Sequence, residues 1–125
     1  MSYSTHCQTQ SLMDQADQFR EAYCLLTNGP EARTVQKALI DEEWSEFHEA
    51  FHFLDACEQL KELADLVYVC YQMAASQEWD LDEAMRRVHA SNMSKLGEDG
   101  KPIYREDGKV LKGPNYAPPN LKDLV

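Results

Sequence analysis

Two pairs of acidic residues are the clearest candidates in the sequence for residues that do chemistry. Glu43 and Glu46 lie three positions apart, and Glu62 and Asp65 repeat that spacing further along the chain. Residues i and i+3 share one face of a helix, so each pair presents two carboxylates side by side. Oxygen ligands without His or Cys suit Mg2+ or Mn2+, and Mg2+ is commonly completed by water and substrate phosphates. The pattern predicts a divalent cation site.

The position of Glu43 within its helix supports this prediction. On a helical wheel Glu43 lies in the middle of an apolar stripe, with Glu46 about 60° to one side. The stripe consists of Leu39, Ile40, Phe47, Ala50, Phe51 and Leu54. A buried ionised carboxylate is costly unless it is paired or binds a metal, and no Lys or Arg follows Glu43 one turn later. The alternative is that flexible acidic side chains at a helix boundary reach solvent.

The second acidic pair sits beside the apolar face of the next helix. Glu62 lies just inside the edge of that face and Asp65 about 60° outside it, where Lys61 can pair with Asp65. If the two helices are antiparallel neighbours, the two pairs can converge.

Four helices are expected to position these residues. The apolar spacing, Asn28-Gly29-Pro30 and an Asp80 N-cap with Glu83 three residues later mark their limits. The expected helices cover about residues 12–27, 30–54, 58–77 and 81–95. The fold class is therefore predicted to be all-α, a four-helix bundle.

The chain changes character after Gly97. Asp107-Gly108 is a turn dipeptide flanked by Ile103-Tyr104 and Val110-Leu111, which predicts a small hairpin, and three prolines favour an extended end. We expect one domain over residues 1–125, with a helical core over 1–96 and a C-terminal arm over 97–125.

Composition excludes several classes of protein. A net charge of -10, all of it accumulated before residue 80, argues against binding to nucleic acid or to an anionic membrane surface. No stretch without a charged residue exceeds 13 residues, and Leu66–Gln77, within the third expected helix, has 12; both are too few to span a bilayer. No secretory signal is visible over Met1–Gln10. A cytoplasmic protein is expected, in the host cytoplasm if it is viral.

Basic and polar residues after the acidic pairs predict contacts with phosphate. Asn92 and Lys95 continue the inward face of the fourth helix at its last turn. The arm adds further cations and Tyr116, with Lys112 among them. A cation site, inward lysine and basic arm together suggest a phosphorylated substrate.

At these residues the sequence resembles a known family. Glu42-Glu43-Trp44-Ser45-Glu46 and Glu62-Leu63-Ala64-Asp65 match the E-E-x-x-E and E-x-x-D motifs of the all-alpha nucleotide pyrophosphohydrolases of the MazG type. These are relatives of dimeric dUTPases and phosphoribosyl-ATP pyrophosphatase. The segments 89–96 and 108–116 resemble the phage and bacterial branch, in particular its purine deoxynucleotide hydrolases.

The resemblance implies an activity and roles for the residues. The reaction would convert a nucleoside triphosphate and water to a nucleoside monophosphate and diphosphate, with dGTP as the first substrate to test. The Mg2+ or Mn2+ ligands would be Glu43, Glu46, Glu62 and Asp65. Glu46, together with Glu43, would serve catalysis by orienting water. The residues implied to bind substrate phosphates are Asn92, Lys95, Lys112 and Tyr116. A homodimer or homotetramer is also implied.

Two other interpretations compete with this one. His48-Glu49-Ala50-Phe51-His52 spells H-E-x-x-H, a zinc protease signature. The wheel places both histidines opposite Glu43, and no third ligand follows at a protease spacing, which favours chance occurrence on an exposed face. The other alternative is a non-enzymatic helical module whose acidic face binds a basic partner.

Overall fold

A computed structural model describes residues 9–25 and 28–125, and the order of its helices confirms the all-α prediction. The helices are α1 (Leu12–Ala22), α2 (Pro30–Phe53), α3 (Ala56–Ser76), α4 (Leu81–Met93) and a short 3-10 helix (Lys122–Leu124). Within the described ranges there is no strand, and no helix is long and apolar enough to cross a membrane. The chain divides into two compact units, one ending at Trp79 and one beginning at Asp80.

In the first unit, α2 and α3 form a helical hairpin and α1 packs against α3. Leu54 and Asp55 alone connect α2 to α3, and so short a connection makes the two helices antiparallel neighbours. The Asp55 side chain caps α3 by accepting a hydrogen bond from the Glu58 backbone N–H at 2.9 Å. Ala50, on α2, is fully buried. The hairpin thus brings the middle of α2 against the first half of α3.

Helix α1 ends earlier than the apolar spacing predicts. The Leu25 N–H donates to the Arg20 carbonyl at 2.7 Å and the Cys24 N–H to the Glu21 carbonyl at 3.2 Å. This pairing is a Schellman motif, and it places Cys24 at a φ of 58°. Such a cap is usually marked by glycine, and because Cys24 occupies this position the cap could not be predicted from the sequence. Leu26, which the prediction included in the helix, lies outside the described residues.

The apolar stripe of α2 is only partly covered within the chain. Phe51 is 61% exposed and Leu54 48% exposed, although both were expected to pack inward. The reason is that α3 is the helix that packs along α2 in this unit, so it covers one side of the stripe.

The second unit is built from α4 and the arm. The Asp80 side chain accepts from the Glu83 N–H at 3.0 Å, which confirms the predicted N-cap. The predicted hairpin is present as a single antiparallel bridge between Tyr104 and Val110. The prediction that the end of the arm is extended is only partly right. Residues 122–124, after the last proline, form the 3-10 helix.

Arg87 fastens the end of the chain to α4. Its guanidinium donates to both Asp123 carboxylate oxygens, at 2.6 Å and 3.0 Å, and to Glu83 at 3.1 Å. It also donates to the Asn120 carbonyl at 2.9 Å. The planar guanidinium matches such bidentate contacts, so this cluster orders the C-terminal turn.

Candidate metal centre

Helices α2 and α3 bring three of the predicted ligands together. One carboxylate oxygen from each of Glu43, Glu62 and Asp65 lies within 4.8 Å of the other two. Among the described residues this is the one group of three or more His, Cys, Asp or Glu side chains arranged to hold a metal ion. The Glu62 side chain is 14% exposed and that of Asp65 is 38% exposed, so the cluster lies at the edge of the packed interface.

Lys61 provides the cluster with one positive charge. Its Nζ lies 2.8 Å from Asp65 and 3.3 Å from Glu62, which confirms the expected pairing with Asp65. Hydrogen bonds to Asp65 and then Glu62 raise the pKa of Lys61 above its usual range. Its side chain is 61% exposed, however, and such pairs contribute little to stability. One exposed ammonium therefore leaves three neighbouring carboxylates undercompensated.

Glu43 shows the consequence of that imbalance. The pKa of Glu43 is raised to about 7. Burial is the largest cause, and a hydrogen bond to Glu46 and the charges of Glu46, Asp65 and Glu62 add to it. In addition, Oε2 of Glu43 and Oε2 of Glu62 are buried without a hydrogen-bond partner. Carboxylate oxygens of this kind are unfavourable without a cation or proton, and they are the ligands that Mg2+ and Mn2+ prefer. The residues present fit a divalent cation.

Glu46 lies beside this group rather than within it. It is exposed on α2, and its carboxyl group shares a hydrogen bond with Glu43. Its predicted roles as ligand and as the group that orients water remain predictions.

The predicted phosphate contacts lie in the second unit, where the arm meets the end of α4. The Gly113 N–H donates to the Lys95 carbonyl at 2.7 Å, and the Lys112 Nζ lies 4.7 Å from the centre of the Tyr116 ring. A Cβ at Gly113 would collide with the Leu96 backbone, so only glycine permits this approach. Lys95, Lys112 and Tyr116 are thus tied to one another through a few residues. Asn92 is exposed one turn earlier on α4.

Two buried glutamines were missed at the sequence level. Gln36 precedes Glu43 by seven residues and Gln72 follows Asp65 by seven, so each shares a helix face with an acidic residue two turns away. Gln72 accepts from Arg20 at 3.4 Å, whereas Gln36 Oε1 is buried without a partner. Burial lowers the pKa of Arg20. The seven-residue spacing was the signal that could have found this polar layer.

Comparison with known proteins identifies the family. A family model described as phosphoribosyl-ATP pyrophosphohydrolase matches residues 14–92, which is more than half of the chain and includes both acidic pairs. The chain belongs to this family. It is therefore a pyrophosphohydrolase, a hydrolase that acts on acid anhydrides, as the sequence predicted. No curated protein matches the chain.

Family membership also bears on the two competing interpretations. His48 and His52 are exposed and adjacent, but within the part of the chain that the structure describes no third ligand joins them. The arrangement thus lacks the three protein ligands of a catalytic zinc site. A family of enzymes likewise favours catalysis over a purely acidic interaction module.

Proposed function

We propose that the chain is a metal-dependent nucleoside triphosphate pyrophosphohydrolase, which converts a (d)NTP and water to a (d)NMP and diphosphate. The observation that carries the proposal is the convergence of Glu43, Glu62 and Asp65 from two helices, in a chain of the pyrophosphohydrolase family. Three hard oxygen donors, undercompensated by protein cations, suit Mg2+ or Mn2+.

The residues of the first unit would bind the cation and prepare the water. Glu43, Glu62 and Asp65 would hold the divalent ion, which when bound would neutralise charge and lower the pKa of water. Glu46, exposed and hydrogen-bonded to Glu43, would accept a proton from water and orient that water toward the α-phosphorus. The bond that breaks joins the α-phosphorus to the bridging oxygen of the departing diphosphate.

The residues of the second unit would bind the phosphates. Lys95 and Lys112 supply positive charge, while Asn92 and Tyr116 supply hydrogen-bond donors that can follow phosphate oxygens. Because Lys112 lies over the Tyr116 ring, the two side chains restrain each other.

A purine deoxynucleotide is the proposed substrate class, with dGTP first. Support comes from the resemblance of segments 89–96 and 108–116 to the purine deoxynucleotide hydrolases. A homodimer or homotetramer is also proposed, because Leu60 is 67% exposed on α3 and Phe51 61% exposed on α2, apolar area that a second copy could cover.

A second candidate substrate follows from the family model itself. Phosphoribosyl-ATP is the substrate that its description names, and it carries the same triphosphate chain. Diphosphate would be released from this substrate in the same way, but the site would have to accommodate a larger group on the base.

One assay distinguishes these substrates and tests the proposal. Release of diphosphate is measured from the canonical and modified triphosphates and from phosphoribosyl-ATP, with Mg2+, Mn2+ or EDTA. Activity that requires the metal and is highest on dGTP is the expected result, and Glu43→Gln and Asp65→Asn should remove it. Metal-independent activity, or none from any nucleotide, would contradict the proposal. Activity confined to phosphoribosyl-ATP would replace the first candidate with the second.

A further inference from the structure

Two histidines on α2 take no part in the acidic cluster. His48 and His52 lie one helical turn apart, and their ring centroids are 4.7 Å apart. Both side chains are exposed. They project about 140° and 180° around the helix from Glu43, away from the acidic cluster. We propose that this pair is a second, separate metal site, which chelates a transition ion such as Zn2+, Ni2+ or Cu2+.

The spacing of the two rings suits chelation of one ion. Histidines at positions i and i+4 of a helix can direct one nitrogen each to a shared metal. If both rings turn one nitrogen toward a shared ion at about 2.1 Å, centroids 4.7 Å apart give a nitrogen–metal–nitrogen angle of roughly 95°. This angle lies between the square-planar and tetrahedral values that these ions adopt.

The ring nitrogens are available, and one ring is already restrained. Neither imidazole donates or accepts a hydrogen bond within the described residues. His52 contacts the ring of Phe51 at 5.2 Å and that of Phe53 at 6.1 Å between centroids. Restraint before binding reduces the entropy lost when the metal fixes the side chain.

The donor atoms decide which ions this site takes. Imidazole nitrogen favours Cu2+, Ni2+ and Zn2+, whereas Mg2+ requires hard oxygen ligands. The histidine pair and the acidic cluster should therefore select different ions on opposite sides of α2. With two protein ligands, the remaining coordination positions of the transition ion are left to water or to another molecule.

Calorimetric titration of the full chain with Zn2+, in excess Mg2+, tests the site. We expect one bound Zn2+, with affinity reduced about tenfold or more in His48→Gln or in His52→Gln. The double variant should bind little more weakly than either single one, because chelation is lost with the first imidazole. His89→Gln, which removes an exposed histidine from α4, is the matched control and should leave the affinity unchanged.

NMR of the histidine ring protons identifies the residues that bind Zn2+ without relying on the measured affinities. Zn2+ should shift the resonances of His48 and His52 together while that of His89 stays in place, and circular dichroism should show that each variant keeps its helices. Unchanged affinity in both single variants would overturn the proposal. So would loss of Zn2+ binding in Cys57→Ser or Glu43→Gln instead, since either result moves the ion to the exposed thiol or to the acidic cluster.

Discussion

Carboxylates in the two units of this protein are treated in opposite ways. In the second unit, hydrogen bonds from Arg87 hold the pKa of Asp123 below its ordinary value, and those from Arg86 and Arg87 do the same for Glu83. In the first unit, burial and acidic neighbours raise the pKa of Glu43 to about 7. The same functional group is thus stabilised in its charged form in one place and penalised in the other.

The difference separates acids with a structural role from acids for which we propose a functional one. The acids around Arg87 have a fixed protein cation and need nothing further, so they serve to hold the last turn of the chain. Within the described part of the chain, the acids around Glu43 form ion pairs with Lys61 alone, at the exposed rim. Carboxylates whose negative charge is not balanced by protein cations favour the binding of an added cation, and that binding stabilises the folded state.

The largest expected effect comes from neutralising the acid that the fold penalises. Glu43→Gln should lower metal-dependent diphosphate release about a hundredfold or more, because it removes a proposed metal ligand. The same variant should be at least as stable as wild type without metal at neutral pH, since it removes a buried charge. Steady-state assays and thermal unfolding in EDTA measure the two effects. Glu49→Gln, an exposed acid on the same helix, is the control and should change neither.

A smaller effect is expected from removing the cation that competes with the metal. Binding of Mg2+ to the folded state alone should stabilise it by about 2.7 kcal/mol at roughly 100 times Kd. In Lys61→Met the apparent affinity for Mg2+ should rise, because the ammonium no longer neutralises Asp65 and Glu62. Thermal unfolding over a range of Mg2+ concentrations measures this change. Equal or weaker Mg2+ stabilisation in Lys61→Met would show that Lys61 does not oppose the metal.

The pH dependence of stability should have opposite signs in the two regions. A pKa that is raised on folding means that the folded state binds more protons than the unfolded state. Glu43 should therefore destabilise the metal-free protein as the pH rises from 4.5, the ordinary pKa of a glutamate, to about 7, its pKa in the folded protein. Glu83 and Asp123, whose pKa values are lowered, should instead lose their stabilising effect as pH falls below their ordinary values of 4.5 and 3.8.

Unfolding of wild type and Glu43→Gln in EDTA across this range isolates the first effect. The two proteins should have equal stability near pH 4 and diverge toward pH 7, with the variant more stable. Parallel curves across the whole range would contradict the raised pKa.

The smallest effect is expected at the satisfied cluster. Asp123→Asn should lower the melting temperature slightly, because it weakens an exposed ion pair with Arg87. Diphosphate release per folded molecule should be retained. The difference in melting temperature should shrink at high salt, which screens the lost pair. A large loss of activity without unfolding would mean that the C-terminal turn also serves the reaction.

Helical periodicity predicted the four helices and the convergence of Glu43, Glu62 and Asp65, but it also included Glu46, which lies beside that group. Glu43 stood out as a charge within an apolar stripe, and the short link between α2 and α3 implied that Glu62 and Asp65 would face it. The end of α1 could not be predicted, since Cys24 adopts a left-handed conformation that nothing in its side chain indicates. The exposure of Phe51 could not either, because periodicity marks a packing face without showing whether this chain covers it.

The division of roles within the second unit was also beyond the sequence. Lys112 and Tyr116 could be named from their chemistry, but their mutual contact depends on how the arm bends. Likewise, Arg87 carried no sign that it would bind Asp123, because the two are far apart in sequence and either could have faced water.

The close approach of Gly113 to the end of α4 has a consequence for how such an arm can evolve. At Gly113 the arm is held by a main-chain hydrogen bond to the Lys95 carbonyl, which does not depend on the side chains of Lys112 or Tyr116. Substitutions at Lys112 or Tyr116, the proposed phosphate contacts, can then occur while this attachment point is inherited unchanged. A single glycine thereby fixes the attachment of the arm independently of the side chains that give the arm its charge.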